Sequence, residues 1–169
     1  MTTGSTPSAR RRSADVPRRA GFLGSAVAVA GLDQLSKHWA LATLSDGEID
    51  LIGSLRLKLI FNDGAAFSLG GGRTTLVSLM ALAVAAVVAW MGLSAETRAK
   101  AIGFGVIFGA AAGNLIDRAV RAGDGVLGGH VVDFVDLQWW PVFNVADAAL
   151  WVGIAILVGA SWRPKESSG

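Results

Sequence analysis

Asp133 and Asp147 are the residues of this 169-residue chain whose type and setting best fit a reaction. They flank the entry into a long apolar segment that starts near Pro141. Two carboxyls brought within a few ångströms cannot both ionise cheaply, so one keeps a proton. The ionised partner can then draw a proton from water while the protonated one polarises a carbonyl. That is acid–base hydrolysis without a metal or a nucleophilic side chain. Asn114, Arg118 and Asn144 are candidates to orient the pair or to stabilise an oxyanion. Spacing alone does not prove a dyad, and a solvated loop acid is the plain alternative for Asp133.

Further polar residues recur at helical intervals inside apolar sequence. Asp33 and Lys37 stand four apart, Asn114, Asp117 and Arg118 at i, i+3 and i+4, and Asn144 and Asp147 three apart. Each group therefore projects from one helix face. An ionisable side chain in a membrane-spanning helix costs roughly 2.5–3.5 kcal/mol on insertion scales, so each needs a reason to be there. The bland readings are a self-neutralising Asp33–Lys37 pair, an interfacial anchor at Asp117 and Arg118, and a helix cap at Asn144.

Composition supplies the elements that carry these groups. The chain is 52% apolar and 17% charged, with a mean hydropathy of +0.50. Soluble domains carry about 25% charge, and a lone globule of this size could not hide so much hydrocarbon. Four apolar segments, about 20–44, 74–93, 101–119 and 141–162, are each about long enough to cross a ~30 Å hydrocarbon core. The third is rich in small residues (Gly103, Gly105, Gly109, Gly113), which suits close helix packing in a bilayer. The expected fold class is an all-α membrane protein, a four-transmembrane-helix bundle with a small extracytoplasmic β-sheet.

The expected organisation is a disordered basic cytoplasmic tail over 1–19, a membrane domain over 20–162 and a cytoplasmic tail over 163–169. Arg10, Arg11, Arg12, Arg18 and Arg19 hold the N-terminus inside. Arg98 with Lys100, and Arg163 with Lys165, agree with that orientation. The connections about 45–73 and 120–140 then face outward, and every polar cluster converges on that side as a water-accessible pocket. Leu55 to Leu59 alternates as a strand with one buried face, and Asn62-Asp63-Gly64 is a turn signal. Phe61 and Phe67 are expected to dip toward lipid. A cleaved secretory signal peptide would account for one apolar segment but not four.

Several classes fall away. There is no cysteine, so thiol catalysis, thiolate metal sites and a disulfide scaffold are excluded. His38 and His130 alone make a poor ligand set, and no metal or other cofactor is expected. The pI near 9.5 reflects the arginine-rich tail on a net charge of only +2, and nucleic acid is not an expected partner. Trp139, Trp140, Trp151 and Trp162 read as interfacial belt residues.

Five motifs occur in order: Asp33-Gln34-Leu35-Ser36-Lys37, Asn62-Asp63-Gly64-Ala65-Ala66-Phe67-Ser68, Gly113-Asn114-Leu115-Ile116-Asp117-Arg118, Val131-Val132-Asp133-Phe134 and Phe143-Asn144-Val145-Ala146-Asp147. Together they make residues 20–162 resemble the lipoprotein signal peptidases (signal peptidase II), bacterial membrane aspartic peptidases. The resemblance implies four transmembrane helices, a small outer sheet, and cleavage on the amino side of a diacylglyceryl-modified cysteine in prolipoproteins. It implies Asp133 and Asp147 as the catalytic dyad, with Asp33, Lys37, Asn62, Asn114, Asp117, Arg118 and Asn144 lining the pocket. Asp117 is the rival for a catalytic label and is read as the partner of Arg118. Expected partners are prolipoprotein substrates and membrane lipid, with the enzyme a monomer in the cell membrane. The stretch Arg121 to Gly129 departs from the family pattern in length and glycine content, as a lid over the site or a tolerated insertion.

Two other functions compete. A small transporter would need polar groups through the membrane thickness, yet 74–93 has no charge and the inner halves of the other segments are apolar. A non-catalytic assembly or lipid-binding factor would use the carboxylates structurally, and substitution of the acids separates it from an enzyme.

Overall fold

The computed structural model describes residues 7–64, 73–123 and 125–162. It is mostly helical, with four α-helices and a three-stranded antiparallel sheet among these residues. The helices are α1 (Pro7–Thr43), α2 (Arg73–Leu93), α3 (Arg98–Val120) and α4 (Val145–Ser161), and the strands are β1 (Ile49–Ile52), β2 (Leu55–Asn62) and β3 (Val131–Asp136).

Helix α3 is the centre of the bundle and packs on each of the other three. Its small residues make this possible. A Cβ at Gly105 would meet Ser25 Oγ at 2.1 Å and the Phe22 carbonyl oxygen at 2.3 Å, so only glycine lets α1 and α3 approach this closely. The start of α3 is capped by Thr97, whose Oγ1 accepts from the Lys100 amide at 3.2 Å. The outer surface of the bundle is hydrocarbon. Leu76, Met80, Val84, Val87 and Trp90 of α2 are all more than half exposed, the reverse of a soluble core helix.

Residues 74–93 and 98–120 are each long and apolar enough to cross a membrane. Helix α4 is shorter, at 17 residues, and the C-terminal half of α1 holds the buried charges Asp33 and Lys37. Only the two therefore qualify on length and hydropathy among the described residues.

The N-terminus differs from expectation. Helix α1 begins at Pro7 and runs through Pro17, so the stretch read as an unstructured tail is helical from Pro7 onward. Its Ala and Arg residues are good helix formers, and their polarity bears on burial more than on backbone conformation. Segment four also starts later than its hydropathy, because Asn144 caps α4 and Pro141 lies outside it.

The sheet order is β1-β2-β3. The alternation from Leu55 to Leu59 does form a strand. Leu57 and Leu59 pack on a cluster of Ala40, Leu44, Val132 and Phe134, which seats the sheet on the C-terminal end of α1. Strand β3 comes from the connection between α3 and α4 and pairs Asp133 with Ile60 and Val131 with Asn62. Phe61 is 53% exposed; Phe67, with the rest of the 65–68 motif, lies outside the described residues.

Candidate active site

Asp133 sits mid-strand on β3 and Asp147 in the first turn of α4, and Asn144 joins them. The Asn144 Nδ2 donates to Asp133 Oδ1 at 2.7 Å, and its backbone N–H donates to Asp147 Oδ2 at 3.2 Å. Its Oδ1 accepts from the Asp147 amide at 3.0 Å, completing a reciprocal capping box. The cap expected of Asn144 and its place in the pocket are one arrangement.

Each acid has a second amide donor. Asn62 Nδ2 donates to Asp133 Oδ2 at 2.9 Å, and Asn114 Nδ2 to Asp147 Oδ1 at 3.2 Å. Burial pushes the Asp133 carboxyl up from 3.8 to about 6. The Asn62 and Asn144 donors oppose that rise, and the nearby Asp147 charge adds to it. Such a carboxyl holds a proton into the mildly acidic range and surrenders it without large cost. Asp147 is part-exposed and lines two cavities. One, of about 300 Å³, is walled by Trp139, Trp140, Phe143 and Trp151. The other, of about 230 Å³, opens between α2, α3 and α4 over Ala81, Ala85 and Leu150.

The remaining expected residues fall around this pair. Asp33, Lys37 and Asp117 are fully buried. Lys37 Nζ lies 2.8 Å from Asp33 Oδ2 and 2.9 Å from Asp117 Oδ2. Asp117 is thus the partner of Lys37, and through Oδ1 of Arg121 at 3.0 Å; the expected Asp117–Arg118 pairing is not formed. Adjacent residues on a helix point about 100° apart, so Arg118 is turned away and donates to the Gly129 carbonyl at 3.2 Å. Arg118 also packs on the Asn62 turn. A Cβ at Gly64, where φ is +73°, would meet its Nη2 at 2.9 Å.

Several contacts had no clear signal in the sequence. Gln34 Nε2 donates to Asp117 Oδ1 at 3.2 Å and to the Gly113 carbonyl at 3.0 Å. Its place within Asp33-Gln34-Leu35-Ser36-Lys37 was the available hint. His130 bonds Asp63 across the mouth of the sheet, where the sequence had raised it only as a metal ligand. Ser78 Oγ donates to the Leu127 carbonyl at 2.8 Å, and the Gly129 amide donates to the Arg118 carbonyl at 3.0 Å. The 121–129 connection is thereby tied to α2 and α3. Among the described residues no set of His, Asp or Glu is grouped to hold a metal ion, and no buried side-chain polar atom lacks a partner.

Chemically, the site offers two carboxyls bridged by Asn144, amide donors on both and an open approach to Asp147. Comparison with known proteins supplies the family. The family model for signal peptidase (SPase) II matches residues 25–163. The lipoprotein signal peptidase of Rhodococcus jostii is 44% identical over 143 residues, 83% of this chain and 72% of that one. That of Mycobacterium tuberculosis strain H37Rv is 46% identical over 145 residues, 84% of this chain and 71% of that one. A solved bacterial membrane enzyme superposes with a TM-score of 0.71 at 24% identity, covering 85% of this chain and 94% of that one, and so shares the fold. On these matches, spanning nearly all of the helical body and both candidate acids, the chain belongs to the signal peptidase II family, whose members are membrane aspartic peptidases.

Proposed function

We propose that Asp133 and Asp147 are the catalytic pair with which this signal peptidase II cuts the bond on the amino side of the diacylglyceryl-modified cysteine of prolipoproteins. The observation that carries the assignment is the Asn144 bridge, which ties one carboxyl to each end of a single side chain and its amide. In the reaction, water oxygen adds to the scissile carbonyl carbon. One water proton passes to the ionised carboxylate, and the protonated carboxyl gives its proton to the carbonyl oxygen. The tetrahedral diol then collapses: one diol hydroxyl returns its proton to the second carboxylate, the C–N bond breaks, and the amine leaves with the proton that the first carboxylate had taken. The products are an acid and an amine, and the dyad returns to one shared proton. Asn62, Asn114 and Asn144 hold the carboxyls, and Arg118 stands near Asp133 as the nearest fixed positive charge of α3.

The same reading has four membrane spans, both termini cytoplasmic, the site at the extracytoplasmic face and a monomeric enzyme in contact with lipid. The convergence of Asp33, Lys37, Asn114, Asp117, Asn144 and Asp147 at the sheet-bearing end of the helices supports it, because a lipid-anchored peptide presents its scissile bond at that depth. Asp133→Asn and Asp147→Asn test the pair. Each is expected to leave lipid-modified precursor unprocessed while the variant accumulates normally in membranes. Full processing by both would overturn the assignment.

A further inference from the structure

The ammonium of Lys37 has three donors, and the structure gives it three acceptors: Asp33 Oδ2, Asp117 Oδ2 and Asn114 Oδ1, at 2.8, 2.9 and 2.8 Å. Two consequences follow from those contacts. The first concerns the Asn114 amide. Its oxygen accepts from both Lys37 and Asn144 Nδ2, the latter at 3.1 Å. Its nitrogen must therefore face the other way, toward Asp147 Oδ1. A flipped amide would set NH₂ against the ammonium and oxygen against the carboxylate, two repulsive contacts in place of two attractive ones.

The second consequence concerns the main chain. Asp117 Oδ2 accepts from the Val132 amide at 3.1 Å, and Asp33 Oδ1 accepts from the Ala146 amide at 2.9 Å. Val132 directly precedes Asp133, and Ala146 directly precedes Asp147. One buried cation thus links the side chain that orients Asp147 to the backbone beside each acid.

We propose that Lys37 is a positioning residue for the hydrolysis. It turns the Asn114 amide toward Asp147 and keeps β3 and the start of α4 in fixed relation. The proposal rests on the dyad reading above. The competing role is simple neutralisation of two buried carboxylates, with Arg121 as a second cation on Asp117. Charged groups facing this assembly are Asp33 of α1, Asp117 and Arg118 of α3, Arg121 at the C-cap of α3, Asp133 of β3 and Asp147 of α4.

Two triple variants of the full-length enzyme, assayed on a lipid-modified precursor, separate the roles. D33N/K37Q/D117N and D33N/K37M/D117N remove the same three charges, and Gln and Met have similar length. Only Gln can donate to Asn114 Oδ1. The Met variant is expected to lose kcat about 10²-fold with KM changed little and its pH profile displaced. The Gln variant is expected to recover about tenfold of that loss. Equal kcat in the two, with an unchanged pH profile, would overturn the proposal. Asn114→Asp is the second test, because it keeps an oxygen on Lys37, adds a charge that Lys37 can pair, and removes the NH₂. It decides the matter if the triple variants do not fold: with its melting transition measured to establish a folded enzyme, it is expected to lose kcat about 10²-fold, and a wild-type rate would overturn the proposal by itself. Active Asp133→Asn or Asp147→Asn enzyme would instead sink the dyad, so the two failures are distinguishable.

Discussion

Strand β3 carries two aspartates three residues apart, and they live in opposite electrostatic worlds. Asp133 faces the helices, and burial raises its carboxyl to about 6. Asp136 lies at the end of the strand, covered by its own partners, where the Arg56 guanidinium at 2.7 Å and the Gln138 amide hold its carboxyl below 3.8. Around the first stands a closed cluster with no exposed member, Asp33, Lys37 and Asp117. Around the second stands an open network in which Arg56 and Lys58 both reach Glu48. Charge pairs of the same chemical type thus do different work in the two regions. Water screens the outer network and makes each bond nearly replaceable. The inner cluster has no such substitute, and each partner is indispensable to the others.

The largest expected effect breaks the inner region at its acids. Asp133→Asn or Asp147→Asn should lower kcat by about 10³-fold or more, read as precursor conversion, while Asp136→Asn keeps the wild-type rate. Lys37→Met comes next. Leaving Asp33 and Asp117 buried without their ammonium should cost about 3–5 kcal/mol, measured by unfolding in detergent, whereas Arg56→Met should barely move the transition. Third is Gly113→Ala. Its Cβ would stand 2.4 Å from Asp33 Oδ2, so separating α1 from α3 should cost about 1–3 kcal/mol together with activity.

The fourth prediction sharpens the contrast through pH. Asp133 binds its proton more tightly folded than unfolded, because its value rises from 3.8 to about 6. Its contribution to stability is therefore full below the unfolded value and falls as pH climbs through that window. Asp136 has the opposite sign. Its contribution is present above 3.8 and fades as pH drops through its lowered folded value. Stability–pH curves of Asp133→Asn and Asp136→Asn should depart from wild type with opposite slopes. Parallel curves would remove the distinction between the two faces. Activity should decline on both sides of an optimum as the coupled pair gains or loses its shared proton. The smallest effect is Arg56→Ala, a shift in melting temperature below all of those above.

Much of the inner region was legible in the chain. Helical spacing put Asp33 with Lys37 and Asn144 with Asp147, because residues three or four apart share a helix face whatever surrounds them. The start of α4 was displaced for a local reason: hydropathy marks where lipid begins, while the Asn144 cap marks where helical hydrogen bonding begins. Strand β3 was not foreseen. Its run Val131-Val132-Asp133-Phe134-Val135-Asp136 is apolar and β-branched, but without its β2 partner it cannot be told from a loop motif.

The sequence by itself determined the apolar segments, the helix faces, the motif set and hence the family, since each depends on composition or on short fixed spacings. Only the tertiary structure decided that Asp117 pairs with Lys37 rather than Arg118, that Arg118 turns to Gly129, and that Asn144 bridges the two acids. Those contacts join residues from different elements. They depend on how far each helix is rotated about its axis when glycine-lined surfaces close, and that rotation is a property of the packed whole.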